Sequence, residues 1–173
     1  FSGVTGWQLA AIIDCAFLAA VAAAAATEIV AGKNWRNLKV LLPVSALFVA
    51  NAAFHLEAQL NGLSDVSRRL GIAAGIVLVL VIGGRIIPSF TRNWLVRENP
   101  GRLPAPFDRF DAGAIVFAVL AFALWVISPD SLPAAAAMAE AGVLHLVRLA
   151  RWAGDRTLRD PLVLILHLAY LWI

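Results

Sequence analysis

Three histidines set in apolar sequence are the residues best suited to chemistry in this chain: His55, His145 and His167. A neutral imidazole is the commonest metal ligand and a frequent axial ligand of haem. Ionisable side chains at membrane depth cost a few kcal/mol each on insertion scales and face a bundle interior. His145 lies seven residues before Trp152, and His167 six residues after Pro161. At 1.5 Å per helical residue both sit about 9–11 Å from the same boundary. Two imidazoles at matched depth on adjacent helices can share one ligand. Arg148 falls one turn from His145, Arg85 lies at comparable depth, and Tyr170 follows His167 at i+3. Arginine near such a pair suits an anionic group, including the propionates of a haem. The ordinary alternative for each histidine is a hydrogen bond to a neighbouring carbonyl, and no HxxxH or HExxH spacing is present.

A second polar set lies toward the opposite boundary. His55 is about 7–8 Å from the end of its apolar run, with Asn51 one turn away on the same face. Asp14 and Glu140 fall at similar depth, so Asp14, Asn51, His55 and Glu140 are expected to cluster. The single cysteine, Cys15, excludes an intrachain disulfide.

Positioning these groups requires elements that survive in lipid. The 173 residues are 61% hydrophobic and 14% charged, and the mean hydropathy is +0.82. Soluble domains carry roughly 45–50% apolar and about 25% charged residues. A water-soluble globule, a disordered tail and a disulfide scaffold are all excluded. The net charge of +3 does not indicate nucleic-acid binding, because the cations sit between apolar runs rather than on a soluble basic face.

A helix needs roughly 20 apolar residues to cross the hydrocarbon core. Six runs approach this: Trp7–Ala31, Leu38–Leu60, Leu70–Phe90, Asp111–Ser128, Leu132–Trp152 and Pro161–Ile173. They lack the strict alternation of a membrane barrel, and in lipid each must satisfy its backbone internally, as a helix does. The expectation is an all-α polytopic transmembrane helix bundle of about six spans. It forms one domain over residues 1–173, a segment of a longer chain. Ten cations fall in loops one, three and five (Lys33, Arg36, Lys39; Arg92, Arg97, Arg102, Arg109; Arg151, Arg156, Arg159), against Arg68 and Arg69 in the N-terminal stretch and loops two and four. The positive-inside rule then makes those three loops cytoplasmic and puts Phe1 outside.

Local signals refine this. Asp160-Pro161 reads as a helix start. Pro88 is expected to kink or end the third span. Thr91 and Asn93 can then cap a following turn, with a short interfacial helix at Trp94-Leu95-Val96. Gly71 and Gly75 permit close helix approach. Arg151 and Trp152 read as an interfacial anchor. The fourth span, with no ionisable group between Asp111 and Asp130, is expected to face lipid.

The stretch Gly83-Gly84-Arg85-Ile86-Ile87-Pro88-Ser89-Phe90-Thr91-Arg92-Asn93 is similar to the signature of the NnrS family of polytopic membrane proteins. Further agreement comes from Asp14 before Phe17, Arg36-Asn37, Asn51 with His55, and His145-x-x-Arg148-Leu149. Pro161-Leu162 ahead of Leu166-His167-Leu168-x-Tyr170-x-Trp172 adds to it. The resemblance implies a chain roughly twice as long, with about a dozen spans. It implies a bacterial inner-membrane protein containing haem and copper, associated with denitrification, nitric oxide and nitrosative-stress protection. Carried over, His55, His145 and His167 become metal or haem ligand candidates, and Arg85, Asn93 and Arg148 their polar partners. It assigns no catalytic residue. The expected partners are the lipid bilayer and nitric oxide or a related small ligand, with a membrane-protein partner or a homo-oligomer as further associations. Two rival readings are a proton-coupled transporter using Asp14, Asn51 and Glu140, and a structural or assembly partner of a respiratory complex.

Overall fold

The computed structural model describes residues 6–173, so the expected placement of Phe1 lies outside the described residues, as does the side chain of Arg36. All regular elements among the described residues are helical. They are α1 (Trp7–Ala31), α2 (Leu38–Asn61), α3 (Asp65–Glu98), α4 (Arg109–Ile127), α5 (Leu132–Ala150) and α6 (Pro161–Leu171), with 3-10 turns at Trp35–Asn37 and Gly154–Arg156. Helices α1 to α5 are long and apolar enough to cross a membrane, and α6 is a shorter apolar helix. The chain is a multi-pass helical membrane protein.

The helix ends obey their local chemistry. Gly62 stops α2 in the left-handed conformation, φ 71°. Asp160 accepts from the backbone N–H of Leu162 (2.9 Å) and Val163 (3.2 Å), opening α6 at Pro161. Asp108 accepts from Phe110 and Asp111 N–H, and the Asp111 carboxylate accepts from Asp108 N–H, a reciprocal capping box at the start of α4. This box satisfies donors that the first helical turn leaves orphaned.

The third span departs from expectation. Helix α3 runs 34 residues through Pro88 without ending. Thr91 and Asn93 therefore do not cap a new helix, and Trp94-Leu95-Val96 is a continuation rather than a separate interfacial turn. Proline removes one donor and crowds the preceding turn, a defect that membrane helices tolerate where neighbouring groups re-satisfy the backbone.

The chain forms two compact units, one through Leu78 and the other Val79–Ile173. In the first, α1 packs along α2. Ile29, Val44, Ala50, Ala73 and Ala74 are among its buried apolar residues, and Gly71 faces Ala50 closely enough that an added Cβ would lie 3.7 Å from the alanine methyl. The Glu57 carboxylate accepts from Ser67 Oγ (2.6 Å) and from the backbone N–H of Ser67 (2.9 Å) and Val66 (3.2 Å), capping α3 from α2.

In the second unit α4 packs against α5. Ala114, Ala118, Ala121 and Phe122 on α4, with Ala134 and Ala141 on α5, are buried. The expectation that the fourth span faces lipid is thus corrected: alanines at a spacing of three to four make one close-packing face, and Val116 and Leu120 point away from it. Side-chain size at that face sets the helix separation. Ala118→Leu is expected to destabilise the protein by about 1–3 kcal/mol through overpacking, while Leu120→Ala, at an exposed position, leaves stability near wild type. Thermal unfolding in detergent distinguishes the two.

Candidate functional site

The polar core of the second unit is built around Arg148, which is fully buried. Its Nε donates to Asp111 Oδ1 at 3.0 Å. Its Nη1 donates to the Leu80 carbonyl (3.1 Å) and to the Tyr170 hydroxyl (3.0 Å). The guanidinium lies 5.3 Å from the centroid of the Trp152 ring, which packs edge-on to Tyr170 at 4.7 Å. One side chain of α5 thereby holds α3, α4 and α6. Glycine is required opposite it: a Cβ on Gly84 would stand 2.0 Å from Arg148 Nη2. On the neighbouring residue a Cβ at Gly83 would lie 3.2 Å from the Tyr170 ring.

Proton positions are assigned from the donors available in the network. Tyr170 Oη accepts from Arg148, so its own proton is directed to His145 Nδ1 at 2.9 Å. A neutral His145 then carries its proton on Nε2. The Thr91 hydroxyl donates to the Ile87 carbonyl (2.8 Å), so at 2.8 Å from His167 Nε2 it accepts. His167 is therefore the Nε2–H tautomer, with the lone pair on Nδ1. The ring packs on the backbone of Gly154, where a Cβ would meet Nδ1 at 2.6 Å. Three buried atoms lack a hydrogen-bond partner here: Arg148 Nη2, His145 Nε2 and His167 Nδ1.

The structure thus brings His145, Arg148, Tyr170 and His167 into one unit, but hands the two imidazoles to different protein partners, Tyr170 and Thr91. Arg148 is occupied by Asp111, Leu80 and Tyr170. Arg85 is exposed and lines a cavity beside this core. Asn93 is exposed, and its main-chain carbonyl accepts from Arg97 Nε at 3.3 Å.

In the first unit, His55 Nε2 lies 3.2 Å from Asp14 Oδ2, a distance suited to an ion pair but without hydrogen-bond alignment. Asn51 Nδ2 donates weakly to Cys15 Sγ at 3.8 Å. Glu140 belongs to the second unit and is exposed there. Among the described residues no group of three or more His, Cys, Asp or Glu side chains converges as a metal site would require.

Arg151 and Trp152 do not form the expected headgroup anchor. Trp152 is buried, and Arg151 pairs with Asp108 and lies 3.6 Å from Asp111 Oδ2. Around them loops three and five are clasped. Arg156 donates to the carbonyls of Asn99 (2.9 Å), Pro100 (3.1 Å) and Arg102, and Arg102 pairs with Asp155 at 2.5 Å. Gly101, at φ 144°, leaves room for the Arg156 guanidinium. The hydrogen bond from Arg151, assisted by the Asp111 backbone, holds Asp108 down from its ordinary 3.8 to about 2.

Sequence reasoning misses the roles of Asp111, Thr91 and Trp152. The Asp108-x-x-Asp111 spacing signals the capping box, but nothing local ties Asp111 to an arginine 37 positions on. Thr91 likewise meets His167 only in the folded protein.

The chain matches the family model described as NnrS protein over residues 1–173 and belongs to that family. No curated protein matches it, and no solved structure does.

Removing one partner of a buried ion pair leaves an uncompensated charge, a loss of about 3–5 kcal/mol. Asp111→Asn is expected to lower stability by that order, and combining it with Arg148→Met to recover part of the loss, read by chemical unfolding. A second expectation concerns acid. The Asp108 carboxylate is held below its ordinary value, so its contribution to folding is complete above about pH 4 and disappears as pH falls toward 2. Asp108→Asn removes that slope from the acid unfolding curve.

Proposed function

We propose that this NnrS-family protein is a bacterial inner-membrane protein that binds haem or copper and acts in the response to nitric oxide, with loops one, three and five in the cytoplasm. The observation that carries the ligand assignment is the environment of His167. Metal-ligating histidines characteristically donate the other ring N–H to a fixed acceptor, which sets tautomer and ring orientation. His167 Nε2–H has that acceptor in Thr91, and Nδ1 is a buried lone pair with no hydrogen-bond partner.

The donor set fits one arrangement and not another. A haem held jointly by His145 and His167, with its propionates on Arg148, does not fit. His145 Nδ1 is engaged by Tyr170, and Arg148 is bonded through Nε and Nη1 to Asp111, Tyr170 and Leu80, with its Nη2 packed against Gly84. A single ligand bond through His167 Nδ1 fits the tautomer and requires the Gly154 backbone packed on that atom to shift aside. His55, 3.2 Å from the Asp14 carboxylate but without a hydrogen bond to it, is the candidate in the first unit and lacks the fixed acceptor that His167 has. Iron or copper bound at such a histidine supplies the affinity for nitric oxide. The chain's own residues orient the ring, fix its proton and exclude water. His145 and Tyr170 act by positioning the core.

The test uses the full-length protein, its visible spectrum and its metal content. His167→Ala is expected to abolish or shift the bound-metal signal. Thr91→Val is expected to weaken metal affinity by about 10–100-fold, as loss of an orienting partner does, and His145→Ala to retain the signal. A protein with neither Soret absorption nor copper, or one whose spectrum ignores His167→Ala, removes this assignment.

A further inference from the structure

A cavity of about 300 Å³ lies in the second unit between α3 and the proline-rich loop three. Arg85, Ser89 and Arg92 line it from α3, and Pro104, Phe107 and Trp152 line it from the facing side. Spacings of four and three place Arg85, Ser89 and Arg92 on one face of the helix. Asp111 also reaches the cavity, but its charge is taken up by Arg148 and Arg151. The lining is therefore net positive. Arg92 is exposed, and no carboxylate lies in ion-pair range of it among the described residues.

The cavity sits where the chain passes from apolar to polar sequence. The apolar run of α3 ends at Phe90, and Thr91-Arg92-Asn93 come next. Ile86 and Phe90 flank the lining residues on the same helix and are 43% and 57% exposed, an apolar surface suited to acyl chains. Basic pockets at the ends of membrane helices recognise anionic headgroups through phosphate contacts, and arginine with a neighbouring hydroxyl matches a phosphate oxyanion.

We propose that this cavity binds the phosphate group of an anionic phospholipid, with Arg92 and Arg85 as the charged donors and Ser89 Oγ as the third. The assignment depends on the membrane-spanning fold and is independent of any haem or copper ligation.

The test measures lipid binding to the full-length protein in detergent, by native mass spectrometry and by thermal shift. The probes are phosphatidylglycerol, phosphatidylcholine of the same acyl chains, and inorganic phosphate. Wild type is expected to bind phosphatidylglycerol preferentially. Arg92→Gln is expected to bind it about tenfold more weakly, the loss of one charge-assisted hydrogen bond. Arg92→Lys restores part of the binding, and Arg97→Gln, on the same helix outside the cavity, behaves as wild type. Unfolding midpoints without lipid verify that the variants fold. Equal binding of the two lipids, or phosphatidylglycerol binding unchanged in Arg92→Gln, overturns the proposal. Inorganic phosphate stabilising as strongly as phosphatidylglycerol overturns the lipid as the source.

Discussion

A guanidinium buried away from water needs its charge matched close by, and Arg148, held through Nε and Nη1, imposes that constraint on the second unit. It meets a carboxylate on α4, a main-chain carbonyl on α3 and a phenol on α6. Each contact has one geometry. Shifting any of these helices by a residue removes an acceptor and strands a charge in a low-dielectric interior, where the penalty is several kcal/mol. Alanine faces and apolar stripes between α4 and α5 slide at little cost by comparison. The arginine therefore fixes register, and the alanines set distance.

The same constraint explains the glycines. Gly83 and Gly84 lie where Tyr170 and Arg148 press on α3, and Gly154 lies under His167. In lipid, helices gain little from excluding one another's apolar surface, so close approach through small residues and polar contacts carries the packing. The Gly-Gly pair of the 83–93 stretch is thus explained by two side chains from other helices. Sequence alone offers only the general statement that backbone can come near there.

Much of the architecture is legible in the sequence because it depends on local properties. Apolar run length marks the spans, Asp160-Pro161 the start of α6, and the depth of Arg148 separates it from the snorkelling arginines. Pro88 misleads because proline's effect depends on its neighbours: alone it breaks a helix, but here α3 continues. Trp152 misleads because position near a helix end is compatible with both lipid headgroups and a protein core, and only the Arg148 and Tyr170 contacts decide. Counting along the helices assigns His145 and His167 equal depth but carries no azimuth, and in the folded protein His145 meets Tyr170 while His167 meets Thr91. Which way each ring turns is set by Tyr170 and Thr91, residues whose roles no spacing announces.

Hydrogen-bond direction then separates two histidines that sequence treats alike. Arginine can only donate, so Tyr170, having accepted from Arg148, directs its proton to His145 and occupies the lone pair a metal needs. Thr91 has spent its proton on the Ile87 carbonyl, so it accepts from His167 and leaves that ring's other lone pair without a hydrogen-bond partner, against the Gly154 backbone. Both imidazoles carry the proton on Nε2, yet one buried charge on α5 closes the Nδ1 lone pair of the first, and one main-chain carbonyl on α3 leaves that of the second without a hydrogen-bond partner. The number of histidines does not distinguish the two rings; the direction of the hydrogen bonds they share with Tyr170 and Thr91 does.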